Sequence, residues 1–231
     1  MSRIFDEKFE GTGYEETGWT EVVGAGSTID EDQVTSVVSS PSGWGNQCLK
    51  IASTGNDAYT YNNVGAEAIT YWRFEFIITA ESVANDGYLI IAYSYQSSFG
   101  GTPWYLFLNK DSEGNRKFLV DSQHDGAAHY YFGFPTLALN TKYRFEIMWD
   151  ATNDHWGWRI DGVNQPNDQD STSPVTTNGN LTSTHQSDSG VLILGSFAGV
   201  AFTTYYDLVA CDSADWVGAE ASTFVPRVTM F

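Results

Sequence analysis

Apolar and polar residues alternate along much of the chain. In Trp72–Ile78 every second residue is large and apolar, and Arg73 and Glu75 fall between them. Tyr143–Trp149 repeats this arrangement. Successive side chains of a strand point to opposite faces, so a period of two places one face in a core and the other in solvent. Both segments therefore predict half-buried strands of an antiparallel sheet.

Turn residues separate these segments from further strands. Asp150–Asp154 supplies a turn, the alternation restarts in Trp156–Ile160, and Asp161-Gly162 is a pair typical of tight hairpin turns. Asn164–Gly190 is weakly patterned, which predicts a long loop of the kind that is often functional. About ten or more short strands, without a convincing helical period, predict one all-β sandwich domain over residues 1–231. Further strands are predicted at Gly87–Tyr95, Trp104–Asn109, Lys117–Asp121, Val191–Ser196 and Tyr205–Cys211.

The charge balance excludes some classes of partner. The 231 residues include 29 acidic and 11 basic ones, for a net charge of -18. No Lys or Arg occurs between Phe9 and Leu49, or between Ile160 and Pro226. Binding to nucleic acid requires clustered cations, and anionic membrane surfaces repel an acidic chain. No segment has the roughly 18 apolar residues of a membrane span. We therefore expect neither a nucleic-acid partner nor membrane insertion.

Several segments resemble one family of sandwiches. Tyr143–Asp150, a turn and Trp156–Gly162 are similar to the paired strands of concanavalin A-like, laminin-G-like jelly rolls, where an aromatic-led strand ends in Asp and the next in Asp-Gly or Asn-Gly. Tyr205–Asp212 resembles the closing strand of that family, and Phe9-Glu10 followed by Gly18-Trp19 resembles its opening. The resemblance implies a two-sheet antiparallel jelly roll. This architecture carries lectins, glycosidases, lyases and virion proteins, so it implies no single function.

The catalytic residues that enzymes of this fold would need are not evident. Retaining glycosidases place two acids on one strand, about 5 Å apart. Glu75 and Glu146 are flanked by aromatic residues, but neither has a second acid two residues away. The constellation of an alginate lyase is matched only in part, by Gln123-His124. We therefore predict a protein that does not catalyse, and a glycoside hydrolase or polysaccharide lyase is the third alternative.

Aromatic residues at the ends of predicted strands are the candidates for glycan binding, because their rings can stack on the apolar faces of sugars. Neighbouring Gly or Pro residues place them at loop–strand junctions. The alternative for each is a place in the core, which large aromatic side chains fill in most sandwiches. We expect at least one group to line a groove. The candidates are Trp44, Trp104 with Tyr105, and Tyr130 with Tyr131.

Calcium is the metal that the resemblance implies. In related carbohydrate-binding jelly rolls, a structural Ca²⁺ joins a Glu near the N-terminus to an Asp of the closing strand. The matching positions are Glu10 and Asp207, and backbone carbonyls would complete the oxygen shell. A zinc site is less favoured, because His124, Asp125 and His129 form the one cluster among scattered histidines and a closed site needs four ligands. We interpret that segment as a polar loop.

Two functions of different classes remain. The first is a virion or surface structural protein, such as a phage capsid-decoration, fibre or tail component, that contacts other virion proteins, glycans or further copies of itself in a homo-oligomer. The second is a carbohydrate-binding module or lectin of a secreted polysaccharide-degrading system. Met1–Asp6 lacks the apolar segment of a signal peptide, and we predict a place in a virion or on an extracellular surface.

The two cysteines, Cys48 and Cys211, are too few for the disulfide framework of a small secreted domain. Free cysteine is among the most buried residue types. We predict two buried thiols, with one disulfide as the alternative if the early and late parts of the chain are neighbours.

Overall fold

The computed structural model of the chain describes residues 3–10, 18–37, 41–133, 136–167, 179–182, 185–197 and 199–216. These residues form β-strands and one 3-10 turn at Val34–Ser36. None of them forms a helix of the length and apolarity that crossing a membrane requires. The strands are β1 Arg3–Glu7, β2 Thr20–Val23, β3 Thr28–Gln33, β4 Gln47–Thr54, β5 Ala58–Asn63, β6 Ile69–Glu81, β7 Tyr88–Tyr95, β8 Trp104–Lys110, β9 Arg116–Ser122, β10 His129–Phe132, β11 Tyr143–Asp150, β12 His155–Ile160, β13 Val163–Asn164, β14 Gly179–Asn180, β15 Val191–Ser196 and β16 Ala201–Asp212.

The strands form two sheets. Sheet A has the order β13-β12-β11-β6-β16-β4-β3, with β1 paired to β16 and β14 paired to β12. Sheet B has the order β10-β9-β8-β7-β15-β5-β2. Every described pairing is antiparallel. The late strands β15 and β16 each lie between earlier strands of their sheet, as in a jelly roll. The predicted fold class, a two-sheet antiparallel sandwich, is confirmed.

Aromatic side chains from both sheets meet in one core. The ring of Phe145 on β11 is fully buried, with its centroid 5.3 Å from that of Phe74 on β6 and 6.2 Å from that of Trp158 on β12. Across the sandwich, the centroid of Trp104 on β8 lies 5.7 Å from that of Phe145. Aromatic side chains bury large apolar areas, so these contacts between the sheets contribute much of the free energy of folding.

The alternating segments became the central strands. The segment Trp72–Ile78 lies within β6, and Tyr143–Trp149 lies within β11. Asp161 and Gly162 have φ angles of 51° and 80°, the conformation that a two-residue hairpin requires at both positions. Of the predicted loop Asn164–Gly190, residues 164–167, 179–182 and 185–190 are described and include β14, while the others lie outside the described residues.

Several strands were not predicted, and β5 shows one reason. Its buried residues are Ala58, Thr60 and Asn62, while Tyr59 and Tyr61 between them lie on the outer face of sheet B. The large residues of this strand therefore do not face the core, and the sequence pattern does not show which face is buried.

The two cysteines are buried free thiols, as predicted. Cys211 belongs to the main core, whereas Cys48 belongs to a smaller apolar cluster with Trp44, Ile77 and Leu208. Burial raises the pKa of the Cys48 thiol to about 12. The disulfide alternative is therefore wrong for this structure.

The substitution Phe145→Ala tests whether the aromatic contacts between the sheets stabilise the fold. It should lower the free energy of unfolding by about 3–5 kcal/mol, because it leaves a cavity between the sheets. Denaturant unfolding monitored by tryptophan fluorescence measures this change. The control is Val163→Ala on the exposed edge strand β13, which should cost less than about 0.5 kcal/mol. Equal effects of the two substitutions would contradict the assignment of the core.

Candidate functional site

The outer face of sheet B carries an open groove across strands β7 to β10. Its volume is about 530 Å³. Apart from one carboxyl group, its lining is apolar or aromatic. The residues are Tyr88, Ile90, Tyr105, Phe107, Leu119, Asp121, Tyr130, Phe132 and Phe197.

Strand register aligns most of these residues, together with the neighbouring Tyr93, in two rows across the sheet. The first row runs from Tyr93 to Tyr105, Asp121 and Tyr130, and each residue pairs directly with the next. Directly paired residues share one face of an antiparallel sheet, so the four side chains lie side by side. The rings of Tyr93 and Tyr105 stack at 5.4 Å with an interplanar angle of 18°.

The second row is purely apolar. It runs from Ile90 to Phe107, Leu119 and Phe132 in the same register. Phe107 joins the rows, because its ring stacks on that of Tyr105 at 5.5 Å. The two rows make a continuous floor of rings and aliphatic side chains.

Four rings of the groove lining remain accessible. Tyr88 is 60% exposed, Tyr130 57%, Phe132 48% and Phe197 46%. Isolated exposed apolar residues are common on proteins, but a contiguous exposed patch marks a site of interaction. These rings surround one groove, so they make it the best-supported binding surface among the described residues.

Asp121 is the charged residue within this lining. It is nearly buried, and its Oδ1 accepts a hydrogen bond of 3.1 Å from the backbone N–H of His129. Burial raises the pKa of Asp121 to about 6, against the opposing effect of that N–H and of the His129 side chain. Burial also raises the pKa of Tyr105, so its hydroxyl stays protonated at neutral pH. The groove thus offers hydroxyl donors and one carboxyl group within an apolar surface.

The predicted calcium ligands lie on the opposite side of the sandwich, outside sheet A. Oε1 of Glu10 accepts hydrogen bonds from the backbone N–H groups of Asn46, at 2.6 Å, and Gln47, at 3.2 Å. Asp207 is fully buried opposite Glu75 of β6. Its Oδ1 accepts a hydrogen bond from the N–H of Leu208. Its Oδ2 is buried and makes no hydrogen bond of good geometry, although the backbone of Gly45 also stabilises this carboxyl group.

The surroundings of Asp207 disfavour its ionised form. Burial raises its pKa to about 8; the N–H of Leu208 opposes this shift, and the charges of Glu10 and Glu75 add to it. A buried carboxylate oxygen without a partner, beside a second carboxylate, suits a hard cation such as Ca²⁺. Glu75 pairs through its Oε2 with Lys142 at 2.8 Å, and both oxygens of Glu10 accept hydrogen bonds from Asn46 or Gln47. Of the two predicted calcium ligands, Asp207 is thus the one with an oxygen that lacks a hydrogen bond of good geometry.

Comparisons with known proteins bear on the fold. No protein-family model matches the chain, and no curated protein matches it. Among solved structures it is similar to the cellulose induced protein Cip1, with a TM-score of 0.62 and 14% identity over 93% of this chain and 100% of the other. This similarity agrees with the fold, which is a two-sheet antiparallel jelly roll.

Two further solved structures are similar to this chain. The globular domain of T. cruzi calreticulin has a TM-score of 0.55 and 9% identity over 92% of this chain and 88% of the other. An alginate lyase from Pseudomonas aeruginosa has a TM-score of 0.50 and 12% identity over 72% of this chain and 82% of the other. Similarity at such low identity shows the fold alone.

Two of the five predicted glycan-binding residues, Tyr105 and Tyr130, lie in the groove of the jelly roll. The prediction was wrong for Trp104, which is fully buried in the core and donates from Nε1 to Oγ of Ser189 at 3.0 Å. It was also wrong for Trp44, which is buried outside sheet A and donates to Glu75 at 2.8 Å.

Tyr131 is the third correction. It is buried between the sheets of the jelly roll, with its ring centroid 5.1 Å from that of Trp156. Its neighbour Tyr130 points the opposite way, because consecutive residues of a strand face opposite sides. Sequence reasoning missed Tyr88, Phe107, Phe132 and Phe197. For β8 the sequence did contain a signal: in Trp104–Leu108 the residues that face either side of the strand are apolar or aromatic. Such a strand has a second apolar face besides the one that faces the core.

The pKa of Asp207 gives a testable pH dependence. Its pKa of about 8 lies above the ordinary value of 3.8, so the folded state retains a proton that the unfolded state releases. In the presence of chelator, the stability that this protonated carboxyl group allows should be fully present below about pH 4. The free energy of unfolding should then decrease as the pH rises from about 4 to about 8. Asp207→Asn is neutral at every pH and should remove this decrease. Identical pH profiles of the two proteins in denaturant unfolding would refute the assignment.

Proposed function

We propose that this chain is a non-catalytic glycan-binding jelly roll that holds carbohydrate in the groove of sheet B. The two rows of rings carry this proposal. Sugar rings have apolar C–H faces that stack on aromatic side chains, and their hydroxyl groups would meet Asp121 and the tyrosine hydroxyls. Small-molecule sites are typically apolar clefts with a few placed polar groups, and the lining of this groove has that composition.

The charges favour a neutral glycan. Asp121 is the only charged residue among the described residues that line the groove. Lys117 lies near the rim, 5.9 Å from the ring centroid of Phe132, but pairs with Asp111 at 3.1 Å. A polyuronate carries one negative charge per sugar and would approach a chain of net charge -18. Repulsion therefore disfavours anionic polysaccharides.

The composition of the groove also supports binding without catalysis. Hydrolysis of a glycosidic bond uses two carboxyl groups, about 5–5.5 Å apart in retaining enzymes and about 6.5–9.5 Å apart in inverting ones. The described lining contains one carboxyl group and neither histidine nor arginine. Gln123-His124, the partial match to the constellation of an alginate lyase, follows β9 in the loop to β10 and is not part of this lining.

The biological setting follows from different arguments. Similarity to a protein named for induction by cellulose supports a carbohydrate-binding module or lectin of a polysaccharide-degrading system. The virion or surface role stays a prediction from the sequence, as does its localisation. It requires a fixed oligomer or contacts with other virion proteins, for which light scattering provides the measurement. Both settings would use the same groove.

Substitution of Tyr130 tests the glycan proposal. Its ring is largely exposed, so Tyr130→Ala should leave the stability unchanged and weaken binding about tenfold, or about 1.4 kcal/mol. Calorimetry with cello-, xylo- and manno-oligosaccharides measures this effect, and oligoalginate serves as the anionic comparison. The control is Phe99→Ala, which removes a ring that is 48% exposed and does not line the groove.

Three outcomes would contradict the proposal in separate ways. Equal affinities of the Tyr130→Ala and wild-type proteins would remove the groove as the site. Tighter binding of oligoalginate than of every neutral sugar would refute the charge argument. Release of reducing ends or unsaturated products from any of these polysaccharides would show that the protein is an enzyme.

We further propose that Glu10 and Asp207 bind a structural Ca²⁺ that connects the N-terminal segment to β16. Calcium should raise the melting temperature of the wild-type protein by several degrees, since 1 kcal/mol corresponds to about 2–4 °C at this size. EDTA should reverse the increase. Asp207→Asn should abolish the response to calcium, whereas Asp111→Asn, which alters an exposed ion pair in the β8–β9 loop, should retain it. An unchanged wild-type melting temperature in calcium and in EDTA would refute this site.

A further inference from the structure

The loop between β9 and β10 and the first residue of β10 bring together three side chains of types that can bind metal. Nε2 of His129 lies 2.8 Å from Oδ2 of Asp125, and the ring centroids of His124 and His129 are 4.7 Å apart. One ligand atom from each of the three residues lies within 4.8 Å of the other two. Imidazole nitrogen and carboxylate oxygen are ligands that zinc and neighbouring transition metals accept.

The first ligand, His124, is held in place by contacts outside the cluster. Its ring stacks on the indole of Trp156 at 5.5 Å with an interplanar angle of 18°. Its carbonyl oxygen accepts a hydrogen bond of 2.9 Å from the N–H of Thr182. Metal sites depend on such supporting contacts, because they fix the orientation of the ligands.

The other two ligands are anchored as well. The N–H of Ala127 donates to Oδ1 of Asp125 at 3.0 Å, and the N–H of His129 donates to Asp121 at 3.1 Å. The hydrogen bond from Ala127 and the pairing with His129 lower the pKa of Asp125, so its carboxylate is ionised at neutral pH. Asp125 is therefore in the form that binds a cation.

A second observation points to a ligand for His124. Its Nδ1 is buried and makes no hydrogen bond of good geometry, although the backbone of Ser122 interacts with the imidazole. A buried polar atom without a partner costs free energy that a hydrogen bond or a metal would offset. Metal coordination would use the neutral form of this imidazole.

We propose that His124, Asp125 and His129 bind one divalent transition-metal ion, for which Zn²⁺ is the best match. Two histidines and one carboxylate provide three ligands and leave the fourth tetrahedral position to water. With bonds of about 2.0–2.1 Å, neighbouring ligand atoms of such an ion lie about 3.3 Å apart. The ligand atoms lie within 4.8 Å of one another, so small adjustments of the three partly buried side chains would bring them to this spacing.

This site is separate from the groove and from Glu10 and Asp207. On β10, Tyr130 and Phe132 face the groove, whereas His129 lies on the side of the buried Tyr131. A bound ion would join the β9–β10 loop to the end of β10 and so stiffen the edge of the groove. The proposal does not depend on glycan binding.

Zinc titration of the full chain tests the proposal. The protein is stripped with EDTA, dialysed into buffer with excess Ca²⁺ to keep any calcium site filled, and titrated with ZnCl₂ by calorimetry; elemental analysis gives the stoichiometry. We expect one Zn²⁺ per chain and an increase in melting temperature. His129→Ala should weaken Zn²⁺ binding at least tenfold. Asp125→Asn should weaken it as much, and it changes the size of the side chain less.

A histidine outside the cluster provides the matched control. His155 is exposed at the start of β12, and His155→Ala should bind Zn²⁺ as the wild-type protein does. A cooperative thermal transition in buffer with EDTA and excess Ca²⁺ establishes that each variant is folded. If His129→Ala does not fold, Asp125→Asn tests the proposal in its place. The absence of saturable binding by the wild-type protein, or an equal loss of affinity in His155→Ala, would overturn the proposal.

Discussion

The packing of aromatic rings between the two sheets is the interaction on which the rest of the structure depends. Phe145 lies at its centre, in contact with Phe74 of its own sheet and Trp104 of the other. Each strand of the core therefore has one phase committed to the interior. The other phase must face outward, and its chemistry decides what each surface of the sandwich can bind.

The two outer faces differ for this reason. Sheet A places Arg73, Glu75 and Asp207 outward, and the proposed calcium site depends on the buried carboxyl group of Asp207. Sheet B places Tyr105 and Tyr130 outward, and the proposed glycan site depends on its floor of rings and aliphatic side chains. The two proposed sites therefore differ in chemistry and lie on opposite sides of a shared core.

Strands β9 and β10 connect the groove with the third site. Asp121 of β9 lies in the groove and accepts a hydrogen bond from the backbone of His129. Tyr130, the next residue, returns to the groove, while the side chain of His129 joins the cluster with Asp125. Because side chains alternate along β10, the same edge of sheet B carries aromatic side chains of the groove on one side and a proposed metal ligand on the other.

The sequence by itself determined the class of fold, the central strands and the tight turn at Asp161-Gly162, because these depend on local alternation and backbone conformation. Alternation in the predicted strand Trp104–Asn109 also implied opposite faces for Trp104 and Tyr105, whereas no strand was predicted at Tyr130 and Tyr131. Only the tertiary structure decided which member of each pair faces inward. That choice depends on the partner sheet, whose strands come from distant parts of the chain: Trp104 fits the space beside Phe145, and Tyr131 fits beside Trp156, so Tyr105 and Tyr130 are left for the groove.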